Sequence, residues 1–233
     1  MKISRRQFVA DAAVAAGGWR LFGRTRPMGE DAKTVRRDGC VVLDLGEACA
    51  LHESQEGYVA ALGGRNMCPL NEARWWRRAC RVAIVPGVGA LDERTGEVLA
   101  ELLETGTAVL LESAGGFCNH TEFIAHRRIL SRFFDVHVDA PVDVWSQGAT
   151  VRYVHYDWPI QATVRDFSRV APVIDSDAEV IGQIGELRIA TKKRVGKGQL
   201  IFLGSPLGPA LWAGDLEAGE WLRALLENSY CLV

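Results

Sequence analysis

RVAIVPGVGALDERTGEVLAELLETGTAVLL, residues 81–111, decides the fold. Its ends, 81–86 (RVAIVP) and 107–111 (TAVLL), are short continuous apolar runs of the kind that lie buried on both faces of a parallel sheet. Between them Leu91, Val98, Leu99, Leu102 and Leu103 recur at helical spacing across 90–105, and Gly106 supplies a stop. A strand, a helix and a strand in that order form a βαβ unit, and the crossover makes the two strands parallel.

Working outward, 40–45 (CVVLDL) repeats the buried-strand pattern, and 121–134 reads as a helix with Phe123, Ile124, Ile129, Leu130 and Phe133 on one stripe. The second half is richer in strands, expected at 142–145, 151–156, 179–184, 187–193 and 199–203. Gly185 and the Gly196-Lys197-Gly198 turn join the last three as hairpins. A closing helix is expected from Asp215, a candidate N-cap, to about residue 228. The fold class that follows is α/β: an open, mostly parallel sheet with helices on both faces and an antiparallel extension in the C-terminal half.

With 233 residues, 48% of them hydrophobic, the chain can bury one sizeable core. Its net charge is −2, so no global basic excess draws it to nucleic acid. The charge is uneven, however: residues 1–37 hold nine basic side chains against three acids, which leaves the rest of the chain at net −8. Ser4-Arg5-Arg6-Gln7-Phe8 followed by a small apolar run to Gly18 resembles a twin-arginine signal peptide. The resemblance implies export by that machinery to the periplasm, with 1–18 as the signal, 19–38 as a tether and 39–233 as the folded domain. The apolar run, broken by Asp11, is too short for a permanent membrane span. Cysteines at 40, 49, 68, 80, 118 and 231 show no Cys-x-x-Cys spacing, so no metal site is expected, and Gly87-x-Gly89-x-x-Asp92 lacks the third glycine of a dinucleotide fingerprint, so no cofactor is expected either.

Two glycine-bearing turns follow the strands of the βαβ unit: Pro86-Gly87-Val88-Gly89-Ala90 and Glu112-Ser113-Ala114-Gly115-Gly116. Open α/β sheets bind ligands at such strand ends. The first turn is similar to the oxyanion loop of class I glutamine amidotransferases, Ser113-Ala114-Gly115 is similar to the nucleophile turn of the cyanophycinase branch, and 198–206 (GQLIFLGSP) resembles the strand that carries the amidotransferase histidine. The chain therefore resembles a class I glutamine amidotransferase-like domain, which implies a flavodoxin-like sheet.

The residues depart from that pattern where chemistry is done. Ser113 stands where a Cys thiolate is needed, and Ser205-Pro206 stands where His-Pro is expected. The resulting expectation is an exported, non-catalytic domain. It would bind a small molecule or protein partner through Gly87, Val88, Gly89, Glu112, Ala114 and Gly115, with Trp145, Trp158 and Trp212 as an aromatic platform. The alternative is a serine hydrolase with Ser113 as nucleophile, His155 as base, Asp157 or Glu112 as the orienting carboxylate, and the amides of Gly87 and Ala114 as oxyanion donors. Glu112, alone in an apolar strand, needs a buried partner, for which an arginine is the usual choice.

Overall fold

The computed structural model describes residues 39–46, 49–63, 67–70, 80–144, 153–165, 169–174 and 177–230. The expected signal and tether, as well as Trp145, lie outside them. The strands are β1 (Cys40–Asp44), β2 (Met67–Pro69), β3 (Val82–Val88), β4 (Ala108–Ser113), β5 (Val142–Asp143), β6 (Tyr153–Tyr156), β7 (Ala162–Arg165), β8 (Arg169–Val170), β9 (Glu179–Ile184), β10 (Leu187–Val195) and β11 (Gly198–Leu203). The helices are α1 (His52–Ala61), α2 (Glu93–Thr105), α3 (His120–Phe134), α4 (Gly208–Trp212) and α5 (Leu216–Tyr230). Among the described residues no helix is long and apolar enough to cross a membrane.

Nine strands form one α/β sheet in the order β2-β1-β3-β4-β11-β10-β9-β6-β7. From β2 to β11 every neighbour is parallel, and from β11 to β7 every neighbour is antiparallel. The sheet is thus half parallel rather than mostly parallel, because the hairpins at Gly185 and Gly196, both at φ 58°, are followed on the far side by a further pair, β6 and β7.

Burial explains the division. Every residue of β3 and β4 is buried, as continuous apolar runs require when both sheet faces are covered. On one face Tyr58 of α1, Ala210 and Leu211 of α4, and Trp221, Leu222 and Leu225 of α5 pack against Val42, Ile84, Leu110, Val154 and Ile181. On the other, Leu99, Leu102 and Leu103 of α2 and Phe123, Ile129, Leu130 and Phe134 of α3 pack against Val41, Ala83, Val85, Val109 and Leu111.

Helix ends follow side-chain chemistry. The helix expected from residue 90 begins at Glu93, because the Asp92 carboxylate accepts from Thr95 N and caps it there. Asn119 and Glu122 close a reciprocal capping box on α3. Asp215 accepts from Ala218 N at the start of α5, as its position suggested.

Candidate functional site

The two glycine turns stand side by side: Ala114 N donates to Val88 O at 2.8 Å, and Val88 is in register with Ser113. The space above them is filled by the chain itself. Cys49 bridges to Val88, and Ala50 N donates to Gly87 O at 2.9 Å, which lays 49–51 across the end of β3. Gly87 adopts φ 47° with Ser54 Cβ 2.8 Å from where its own Cβ would lie, so both conformation and space require glycine. At Gly89 a Cβ would meet Ala50 Cβ at 2.6 Å and Cys118 Sγ at 2.9 Å. Gly87, Val88, Gly89, Glu112, Ser113, Ala114 and Gly115 are all buried, and a ligand crevice at these turns is replaced by packed chain.

Glu112 is wholly buried at the centre of this junction. Its Oε1 accepts from the Ser54 hydroxyl and from Gly87 N at 3.2 Å. Oε2 accepts from Tyr58 OH at 2.6 Å and from Leu207 N and Gly208 N, each at 3.0 Å. The partner expected to be an arginine is therefore a set of two hydroxyls and three amides, and no basic side chain pairs with Glu112 among the described residues. Burial pushes the Glu112 carboxyl up, opposed by the Ser54 and Tyr58 hydroxyls and the Gly208 and Leu207 amides. Burial and then the Glu112 charge hold the Tyr58 phenol well above its ordinary value. Five donors tie β4 to α1, to the β3 turn and to the start of α4.

Ser113 has an imidazole neighbour, and it is His126 rather than His155. The Ser113 hydroxyl lies 2.9 Å from His126 Nε2 and accepts from Gly115 N at 3.1 Å. Leu91 N donates to His126 Nδ1 at 3.4 Å, which leaves the neutral ring's proton on Nε2, pointing at the serine oxygen. Burial lowers the His126 pKa to about 4, so the ring is neutral at physiological pH. The pair thus runs in the direction opposite to nucleophile activation: the histidine donates to the serine and has no lone pair free to take its proton. The two amides expected as oxyanion donors are also committed, Gly87 N to Glu112 and Ala114 N to Val88. Burial raises the Cys118 thiol to about 11, leaving it protonated against Gly89 O.

His155 is exposed on β6, with Nδ1 3.3 Å from the Thr163 hydroxyl across the strand pair. Asp157 follows on the same edge, its amide bonded to Ile181 O. The Trp158 carbonyl accepts from Trp221 Nε1 at 2.8 Å and its ring carries Lys192 Nζ at 4.2 Å from the centroid, while Trp212 is 46% exposed at the end of α4. Among the described residues none of these four is hydrogen-bonded to the 86–90 turn.

Ser54, Tyr58 and His126 are the site residues that sequence reasoning missed. Ser54 and Tyr58 are one helical turn apart on α1, a helix with little apolar patterning. His126 carried a usable signal, since it falls between Phe123 and Ile129, Leu130 on the buried stripe of α3, where a polar ring needs a partner.

Neither a family model nor a curated protein matches the sequence. Among solved structures, the chain is similar to a β-galactosidase from Bacillus circulans sp. alkalophilus, with TM-score 0.56, 14% identity, and 79% of this chain against 31% of that one. It is also similar to the exo-β-1,4-mannosidase Op5Man5 from Opitutaceae bacterium strain TAV5, with TM-score 0.58, 11% identity, and 80% of this chain against 36% of that one. This is a fold that glycosidases contain. A cytoplasmic protein from Salmonella typhimurium LT2 shares it at TM-score 0.57 and 10% identity, over 81% of this chain and 98% of that one. The chain spans about a third of the length of the glycosidases it matches. These neighbours overturn the identification as a glutamine amidotransferase-like domain, and with it the degenerate-amidotransferase and serine-hydrolase readings, which the filled crevice and the His126 proton also oppose.

Proposed function

We propose that this chain is a carbohydrate-binding module of the glycosidase type that does not itself cleave glycosidic bonds. The observation that carries the reading is the commitment of Glu112. Glycoside hydrolysis works through two carboxyl groups flanking the bond, about 5–5.5 Å apart for retention and about 6.5–9.5 Å apart for inversion. Glu112 is the one buried acid among the described residues, and five donors already occupy its oxygens. A carboxylate so held serves the fold and is closed to a sugar. The likeness to glycosidases, over about a third of their length, supports carbohydrate as the class of ligand. At the finer level we read the parallel half as a flavodoxin-type doubly wound sheet, since its order β2-β1-β3-β4-β11 follows the 2-1-3-4-5 arrangement.

Affinity electrophoresis of the full chain through gels containing soluble neutral and acidic polysaccharides tests this, alongside incubation with nitrophenyl β-galactoside and β-mannoside. Retardation by at least one polysaccharide with no nitrophenol released is the expected result. Release of nitrophenol, or unretarded migration in every gel, would overturn the reading.

A further inference from the structure

Among the described residues no helix covers one face of the antiparallel half of the sheet. Its inner face packs Val154, Tyr156, Ala162, Val164 and Ile181 on α5 and its neighbours, while α2 and α3, which cover the opposite face of the parallel half, pack on β1, β3, β4 and β11. Strand register sets what the opposite face presents. Arg188 of β10 pairs with Gln183 of β9, Gln183 with His155 of β6, and His155 with Thr163 of β7, so these four side chains form one rung across four strands. Residues directly opposite in antiparallel strands share a face. Two residues along, Tyr153 pairs with Arg165 to make a second rung on the same face. At the usual strand spacing the first rung spans roughly 14 Å. All but the half-buried Gln183 are exposed, and Tyr153 keeps 45% of its surface in solvent.

Two arginines stand at the two sides of this face. Arg165 and Arg188 are in no ion pair among the described residues, whereas Lys192 and Lys193 nearby are matched by Glu179 and Asp135. Asp157, two residues beyond His155, borders the face along its own strand, and the Glu217 carboxylate reaches the β7 edge, where it accepts from Thr163 N at 2.5 Å. The chain beyond residue 37 is net −8, so a polyanion needs guanidinium groups that no acid neutralises, and Arg165 and Arg188 are two such groups on one sheet face. Two guanidiniums on outer strands, with amide, imidazole and hydroxyl groups between them and one exposed aromatic ring beside them, match a flat, extended ligand. Such a ligand carries spaced carboxylates, many hydroxyls and an apolar ring face.

The geometry points to an acidic polysaccharide, bound across β10, β9, β6 and β7 by Arg188, Gln183, His155, Thr163, Arg165 and Tyr153. This rests on the carbohydrate-binding reading above and adds to it the class of glycan and the surface that takes it. Nucleic acid is disfavoured, because a single exposed aromatic and a net negative body lack the repeated stacking groups and continuous basic track that a phosphate backbone uses.

The test is a titration of the full chain with polygalacturonate, neutral galactan and single-stranded DNA, repeated for R165Q, R188Q and Y153A after circular dichroism has checked each fold. Polygalacturonate is expected to bind best, with each arginine substitution weakening it roughly tenfold or more, the effect of removing a charge-assisted hydrogen bond. Binding of neutral galactan in preference, unchanged in the three variants, would overturn this inference and leave the carbohydrate reading standing. Equal binding of DNA would show a generic polyanion surface and overturn it as well. Binding of no glycan at all would remove both.

Discussion

Replacing Glu112 with alanine would leave three amides and two hydroxyls facing a dry gap, since every one of its partners is turned inward toward it. Removing one side of a buried polar junction costs about 3–5 kcal/mol, and urea unfolding of Glu112→Ala should fall by that amount. His126 makes a pH-dependent contribution. Its pKa is about 4 in the folded chain against an ordinary 6.5, so between those values the unfolded chain binds the extra proton and the folded chain does not. Stability from this group is therefore complete above pH 6.5 and is lost as pH falls toward 4. Glu112, raised by burial, works the other way, losing stability as pH rises through its folded value. Unfolding free energies measured from pH 8 to 4 should show the wild type losing stability relative to His126→Gln, which keeps a donor and an acceptor but does not titrate. A constant difference would show that the imidazole is not buried neutral.

Helix α1 shows how an element can be specified by something other than its own pattern. HESQEGYVAA has no clear apolar stripe, and its N-cap residue Leu51 makes no side-chain cap. What holds it is close approach: a Cβ on Gly57 would lie 2.0 Å from Gly208 O, and one on Gly208 would lie 2.4 Å from Ser54 Cα. The two glycines let α1 and α4 touch backbone to backbone, and that contact brings Ser54 and Tyr58 to one side of Glu112 and the Leu207 and Gly208 amides to the other. Gly57→Ala would push the helices apart and stretch these bonds together. The expected cost is about 1–3 kcal/mol, as for other overpacked sites, read as a lowered urea midpoint with unchanged slope. By contrast α2 was legible in its apolar stripe and left-handed Gly106 stop, which lie within one short stretch, while its Asp92 cap emerged only in the structure. β7 was missed because a run of four residues is too short to show a period.

At the scale of the molecule, the parallel and antiparallel halves share one core. Val42, Ile84 and Leu110 from the first and Val154, Val164 and Ile181 from the second meet under α5. Trp221 is the keystone residue by position: it is wholly buried, its ring is 4.5 Å from that of Tyr156, and its Nε1 donates to Trp158 O. Trp221→Ala should cost about 3–5 kcal/mol, and unfolding of the wild type followed by fluorescence and by circular dichroism should coincide in one transition. The α/β class, the βαβ unit, the hairpins at Gly185 and Gly196, the Gly106 stop and the Asp215 cap were readable from the chain alone, since each depends on periodicity or turn chemistry within a few residues. The filling of the 86–90 turn by 49–51, the pairing of Ser113 with His126, the five donors around Glu112 and the open rung from Arg188 to Thr163 were decided only by tertiary structure. They join residues as far as 96 positions apart through strand register and backbone contact, and no local pattern encodes which distant segments will meet.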